Sequence, residues 1–279
     1  MILKKQLYID RNNNRQSLEE VLGCRFLELV VSSPQPSTNY QQLSGLDGQL
    51  DGYTTYGPKT ATANFFLKGT DLEEYQLLIR DVWQFFYSRE AYYISSSDML
   101  GIRYLVHPKP MDFTRVNTVA ATFSIEFEVF KGYGESWATT LNDFTFEEEK
   151  WQIGMNLPLA EDLNYAFANQ SNFDVYNASD ITVNPLLRHE LSIAISGVGS
   201  SVKLVNKSTN DVFQYNKSMK QGDVLVLTGV YPFLNDEHCG RDTNHGIITL
   251  APLIYNEFEL TGLRNSKISF DFPFLYVNK

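Results

Sequence analysis

Between Ala121 and Val129 apolar and polar residues alternate without interruption. Ala121, Phe123, Ile125, Phe127 and Val129 fall on one side and Thr122, Ser124, Glu126 and Glu128 on the other, which predicts a strand with one dry and one wet face. The stretch 121–135 organises the rest of the chain, because Gly132, Tyr133 and Gly134 then break the alternation with backbone freedom that a packed sheet does not want. These glycines mark the expected seam between a first domain, 1–134, and a second, 135–279.

Before the seam, Leu3, Leu7 and Ile9 predict a first strand and 26–31 a second, followed by Pro34 and Pro36. Residues 37–56 are rich in Gly, Asp, Ser, Gln and Tyr and read as a long loop, either ordered against something outside the domain or mobile. Residues 61–68 resume a strand. One helix stands out, over 71–86: Thr70 as N-cap with Glu73 three residues on makes a capping box, and Leu72, Tyr75, Ile79, Val82 and Phe86 form an apolar stripe widened by Leu78 and Phe85. That stripe is expected to pack on the sheet. Strands follow at 92–94, 102–106 and 116–129, with Pro108 and Pro110 ending the second of them.

Beyond the seam no helix of comparable strength appears. Trp151 and Ile153 are expected to anchor the entering chain. Alternating runs at 173–176, 191–196, 202–204, 212–215, 223–228, 247–250, 258–260 and 268–276, separated by Asn, Gly and Ser turns, predict a jelly-roll β-sandwich. The fold class expected for the whole chain is therefore mostly β in two domains, with one packed helix in the first.

At 279 residues and 43% hydrophobic content the chain can bury a core in each domain. A formal net charge of -10 argues against a protein built to grip a nucleic-acid backbone. No export signal and no bilayer-spanning run is read from the sequence, so no membrane insertion is expected. Cys24 and Cys239 fall in different domains, which makes a disulfide framework unexpected. Asn169, Asn177, Asn206 and Asn216 each head a glycosylation sequon and are read as polar turn residues.

Candidate chemistry is sparse. Asp236, His238, Cys239, Asp242 and His245 contain zinc-ligand residue types, but adjacent His238 and Cys239 diverge and no second Cys or HExxH accompanies them. They read as a solvated loop, and no metal or cofactor is expected. Glu147, Glu148 and Glu149 could be imagined in a glycosidase pair, and exposed Tyr231, Phe233 and Trp151 as sugar platforms, yet no spacing supports either. GxSxG and Gly-rich phosphate loops are absent. No enzyme is expected.

The order of several weak motifs resembles the distal tail protein (Dit) family of long non-contractile-tailed phages and prophages, particularly those of Gram-positive hosts. The residues that carry it are Ser44-Gly45-Leu46-Asp47-Gly48, the helix at 71–86, the Pro108 to Pro110 turn, the strand at 123–130, Asn172 to Asn177, Val183-Asn184-Pro185, Glu190 to Ile193, Asp223 to Leu227 and Leu260 to Asn265. Two positions depart from the family pattern, Ala178 where a glycine is usual and Leu46 where a basic residue is frequent. The resemblance implies a tail-tube-like ring-forming domain over 1–134 and a galectin-like sandwich over 135–279. It further implies a homohexameric ring at the distal end of the virion tail, assembled in the bacterial cytoplasm. Its partners would be the tail tube protein, the tail-associated hub protein and a receptor-binding protein, and DNA would pass through the channel without specific binding. The 37–56 loop, with Ser44, Gly45, Leu46, Asp47, Gly48 and Asp51, is the candidate ring contact, and Asp47 or Asp51 are candidates for an acidic channel lining. The alternative reading is a carbohydrate-binding module for host cell-wall polysaccharide.

Overall fold

A computed structural model describes residues 5–11, 14–45, 47–145, 150–158 and 162–279. Expectations that fall on Leu3, Leu46 and Glu147, Glu148 and Glu149 lie outside the described residues. The chain divides into two compact units, Met1–Glu135 with Val277–Lys279, and Ser136–Tyr276.

The first unit contains β1 (Leu7–Arg11), β2 (Asn14–Ser17), α1 (Leu18–Leu22), β3 (Arg25–Val31), β4 (Pro36–Gln41), β5 (Leu50–Tyr56), β6 (Lys59–Lys68), α2 (Leu72–Phe86), β7 (Tyr92–Ser96), β8 (Met99–Pro108), β9 (Asp112–Arg115) and β10 (Ala120–Val129). Strands run in the order β2-β1-β7-β8-β10-β6-β3, with β9 also on β10, and these neighbours pair antiparallel. The alternation of β10 is realised as expected: Phe123, Ile125, Phe127 and Val129 are buried, while Ser124, Glu126 and Glu128 are exposed. Its ten-residue register with β6 sets Phe123 opposite Phe65, and the two rings stack at 5.0 Å. Phe86 of α2 reaches the same cluster, 5.6 Å from Phe65 and 5.9 Å from Phe127, and is fully buried. Burying a phenylalanine contributes about 1.5–3 kcal/mol, so this cluster fixes the helix on the sheet.

The helix begins one residue later than the sequence suggests. Asp71 is the N-cap, accepting from the Glu74 N–H at 2.8 Å, and the Glu74 carboxylate reaches back to Thr70. A carboxylate outcompetes the Thr70 hydroxyl for this place because it accepts more strongly at the positive end of the helix. At the other end Arg11 lies over the Tyr92 ring at 4.3 Å and donates to the carbonyls of Phe85 and Phe86, placing a cation on orphan carbonyls. α1, capped by Ser17 and ended by Gly23 at φ 68°, is too short at five residues to show a helical period.

The second unit contains all but the first two residues of β11 (Gly134–Thr139), together with β12 (Ala166–Ala168), β13 (Asn172–Tyr176), β14 (Ser192–Asn206), β15 (Asp211–Tyr215), β16 (Val224–Thr228), β17 (Tyr231–Leu234), β18 (Glu237–His238), β19 (Tyr255–Asp271) and β20 (Pro273–Tyr276). It is a β-sandwich in which two long strands serve both halves. The first half of β14 and the last half of β19 lie between β16 and β12, whereas their other halves lie between β15 and β13. Register shifts at Ser196/Val198 and Gly199/Lys203 make the corner. The short runs expected at 191–196 and 202–204, and at 258–260 and 268–271, are thus single strands. Gly197, Gly199 and Gly262 read as turns in sequence but are bulge residues.

Other expectations are corrected here. Trp151 is only 2% exposed, not a surface platform, and stacks on Phe144, whereas Ile153 is 78% exposed and anchors nothing within its unit. Residues 247–250 do not form a strand; Leu250 makes a single bridge to Val183. Side-chain amides tie down the following residues instead. Asn177 and Asn206 are completely buried and bond to backbone at Leu250, Ala251 and Thr249, so these two sequon asparagines are core residues and not turn polars.

Candidate assembly surfaces

The predicted loop at 37–56 is mostly strand. Among the described residues β4 and β5 pair with each other alone, from Pro36 opposite Tyr56 to Gln41 opposite Leu50, with a hydrogen bond of 2.8 Å between the Thr38 and Thr54 hydroxyls. The strands escaped detection because neither face is buried, and without a dry face there is no period of two to read. The register shifts between Thr38 and Tyr40, and Gly52 sits against it: a Cβ there would lie 2.2 Å from the Asn39 carbonyl oxygen.

Ser44, Gly45, Asp47 and Gly48 lie in the connection between the arms, Gly45 and Gly48 with φ of 89° and 80°. Asp51 is on β5 opposite Tyr40. Ser44, Asp47 and Asp51 are exposed and have no convergent partner that would make them a chemical site. What the hairpin carries instead is apolar. Tyr53 is 72% exposed and Tyr40 57%, with Leu43, Leu50 and Tyr56 also exposed. A two-stranded hairpin with no buried face is marginal by itself, and exposed apolar side chains in one contiguous element mark a contact surface.

A second surface is the edge strand β3, which among the described residues pairs with β6 only and exposes Leu27 and Val30. A third is the wet face of β3, β6 and β10. Ser124, Asn64 and Glu28 form one cross-strand row, with Asn64 donating to Glu28 at 3.0 Å, and Glu126 and Glu128 continue the face beside Thr62 and Thr60. Lys109, 3.7 Å from Glu126, lies close to this acidic face.

The remaining sequence candidates do not converge on chemistry. Asp242 pairs with Lys217 at 2.8 Å, His238 packs between Phe233 and Tyr231, and Cys239 is buried. Among the described residues no three His, Cys, Asp or Glu side chains are grouped for a metal, and no helix is long and apolar enough to cross a membrane. Both cysteines are free. Burial pushes the Cys24 thiol up to about 12, so at pH 8 its reactive thiolate is scarce in the folded protein. Alkylation by iodoacetamide at that pH is expected to leave Cys24 unmodified under native conditions and to modify it fully in denaturant, read by peptide mass spectrometry. Rapid native labelling would contradict the burial.

Residues 18–129 match the phage tail protein RIFT-related domain family. No curated protein sequence matches significantly. Among solved structures, the chain is similar to the Dit protein of phage SPP1, described as a paradigm of hub adsorption apparatus in Gram-positive infecting phages. The identity is 12% and the TM-score 0.66, over 97% of this chain and 99% of that one. It also matches a chain of the phage P2 baseplate in its activated conformation, at 11% identity and a TM-score of 0.44, over 97% of this chain and 98% of that one. The likeness to the SPP1 protein shows the fold: a tail-tube-like unit followed by a β-sandwich.

Proposed function

We propose that this chain, whose residues 18–129 match the phage tail protein RIFT-related domain family and whose fold is similar to that of the SPP1 Dit protein, is a structural distal tail protein of a phage virion. It forms a homohexameric ring that joins the tail tube to the tail-associated hub protein and carries a receptor-binding protein. The ring assembles in the bacterial cytoplasm before it becomes the distal end of the tail. The observation that carries the reading is that a phage tail domain displays a hairpin, β4–β5, with neither face buried in its own chain.

A closed ring needs two different surfaces on each subunit that fit one another. The hairpin, including Ser44, Gly45, Asp47, Gly48 and Asp51, supplies one and the β3 edge offers the other. The channel requires a surface that DNA does not grip. Carboxylates repel phosphate, and the wet face bearing Glu28, Glu126 and Glu128 is a broader acidic surface than Asp47 and Asp51 at the hairpin.

Light scattering on the purified chain, with negative-stain images of the same peak, tests the ring. Particles of six chain masses with an open centre are expected. Replacing Tyr40 and Tyr53 together by serine removes two exposed aromatic anchors, each worth about 2 kcal/mol at an interface, and shifts the peak toward one chain mass while the circular dichroism spectrum is retained. A wild-type protein that stays monomeric at every concentration, or a double variant that assembles unchanged, would count against the hairpin as the contact.

A further inference from the structure

The outward face of one half of the sandwich is a floor of small side chains beside an aromatic ridge. The registers of β19, β14, β16 and β17 place Asp271, Ser192, Thr228 and Tyr231 in one row across four strands. The next row outward in the same registers is Ser269, Ala194, Val226 and Phe233. Their neighbours in sequence, Phe270, Ile193, Ile195, Leu225 and Leu227, are buried, so these two rows lie on the side away from the core. Tyr231 is 59% exposed, and the His238 ring lies 5.6 Å from Phe233 and 6.1 Å from Tyr231, extending the ridge.

The first row borders a groove of about 660 Å³, closed on its other side by Arg188, His189 and Glu190. That volume suits a small ligand. Asp271 lies in its wall, and one of its carboxylate oxygens, Oδ1, is enclosed with no hydrogen-bond donor among the described residues. Arg188 is held in the left-handed region at φ 64°, which fixes the backbone of this rim.

From this arrangement we infer that the groove beside Tyr231 binds a neutral saccharide chain. The exposed tyrosine offers a flat apolar face to the C–H surface of a sugar ring. Asp271, Ser192 and Thr228 offer acceptors and hydroxyls for its polar edge. Charge selects the class of sugar. Arg188 is offset by Glu190 and Asp271 in the same wall, so a polyanion gains no net attraction there, whereas an uncharged polyol loses nothing. The inference concerns the second unit alone and does not depend on ring formation.

The full-length protein is to be titrated with maltotetraose, the tetramer of N-acetylglucosamine and a galactose-containing tetrasaccharide. Saturation-transfer NMR and calorimetry are read together. Saturable binding of at least one probe is expected, with a dissociation constant near or below about 1 mM. Tyr231→Ala and Asp271→Asn should each weaken it by about tenfold or more. Thr228→Arg, at an exposed position that lines the groove, should abolish it. Tyr53→Ala, on the first unit, should leave it unchanged. Absence of saturable binding by all three probes overturns the inference, and so does a probe that binds Tyr231→Ala and Thr228→Arg as tightly as the natural protein.

Discussion

Replacing Gly199 by alanine is expected to lower the stability of the second unit by about 3 kcal/mol or more. A Cβ on Gly199 would sit 1.9 Å from the carbonyl oxygen of Gly262 and 3.2 Å from the Cα of Leu263. Both neighbours are backbone, so no side chain can swing aside and the strands β14 and β19 must part. Gly199 also exchanges two hydrogen bonds with Met219, at 3.1 and 2.9 Å, which would be lost with the movement. The damage falls at the corner where both strands pass from one half of the sandwich to the other. Gly222 is the contrasting case, backbone strain without a clash: its φ is positive, 96°, as that of Gly199 is not, and nothing lies within 4 Å of a Cβ there. Gly222→Ala should therefore cost only about 1–2 kcal/mol. Urea unfolding followed by near-ultraviolet dichroism gives both values. A Gly199→Ala protein as stable as Gly222→Ala would show that the strands do not cross at this corner.

How much of the fold is legible in the sequence depends on burial. β10 and α2 announce themselves because each has one dry face, and dry faces impose a period. The hairpin at β4–β5 has none, so its strands look like a Gly- and Tyr-rich loop although their backbones pair over most of their length. The long strands β14 and β19 mislead in the opposite way. Glycine is the usual mark of a turn, but at Gly197 and Gly262, with φ of 151° and 93°, it permits a bulge inside a continuous strand. Local residue type cannot distinguish the two, because the partner strand that makes a bulge possible is distant in the chain.

The exposed hairpin proposed as an assembly surface was legible in position as an unusual segment but not in its strand and apolar character. Ser44, Gly45, Asp47, Gly48 and Asp51 drew attention through their turn chemistry, while the exposed Tyr40 and Tyr53 that give the hairpin its apolar surface were missed. Their signal was available as aromatic residues in a segment with no apolar period, which a soluble loop has no need to display. The groove row of Asp271, Ser192, Thr228 and Tyr231 was not available at all. Its members come from four strands, and only their register makes them neighbours.

The same limit explains the buried asparagines, and Asn256→Leu should be the second most damaging change. Asn256 is completely buried, and its Oδ1 accepts from the Ala251 N–H at 2.8 Å and from the Asn206 amide at 3.2 Å. Its Nδ2 donates to the Ala251 carbonyl at 3.1 Å and, more weakly, to Val175 at 3.4 Å. Asn206 in turn holds the Thr249 carbonyl at 2.7 Å, and Asn177 holds Leu250 and Ala251. The three amides replace the ladder that 247–250 lacks, so the apolar Ile248 and Leu250 can be buried without a strand partner along their whole length. Leucine nearly matches asparagine in size but orphans the Ala251 N–H and one N–H of the Asn206 amide together, at about 1–3 kcal/mol for each unsatisfied group. A total loss of about 3–4 kcal/mol is expected. Asn256→Asp sharpens the test. It keeps both acceptor contacts but buries a charge, which raises the folded-state pKa of the new carboxyl above its unfolded value. Its deficit relative to the natural protein should therefore be largest at neutral pH and shrink as pH falls toward the unfolded carboxyl range, about 4. Parallel unfolding curves for the two variants across that range decide it. A leucine variant within about 1 kcal/mol of the natural protein, or an aspartate variant whose deficit is constant with pH, would mean that water and not backbone satisfies these amides.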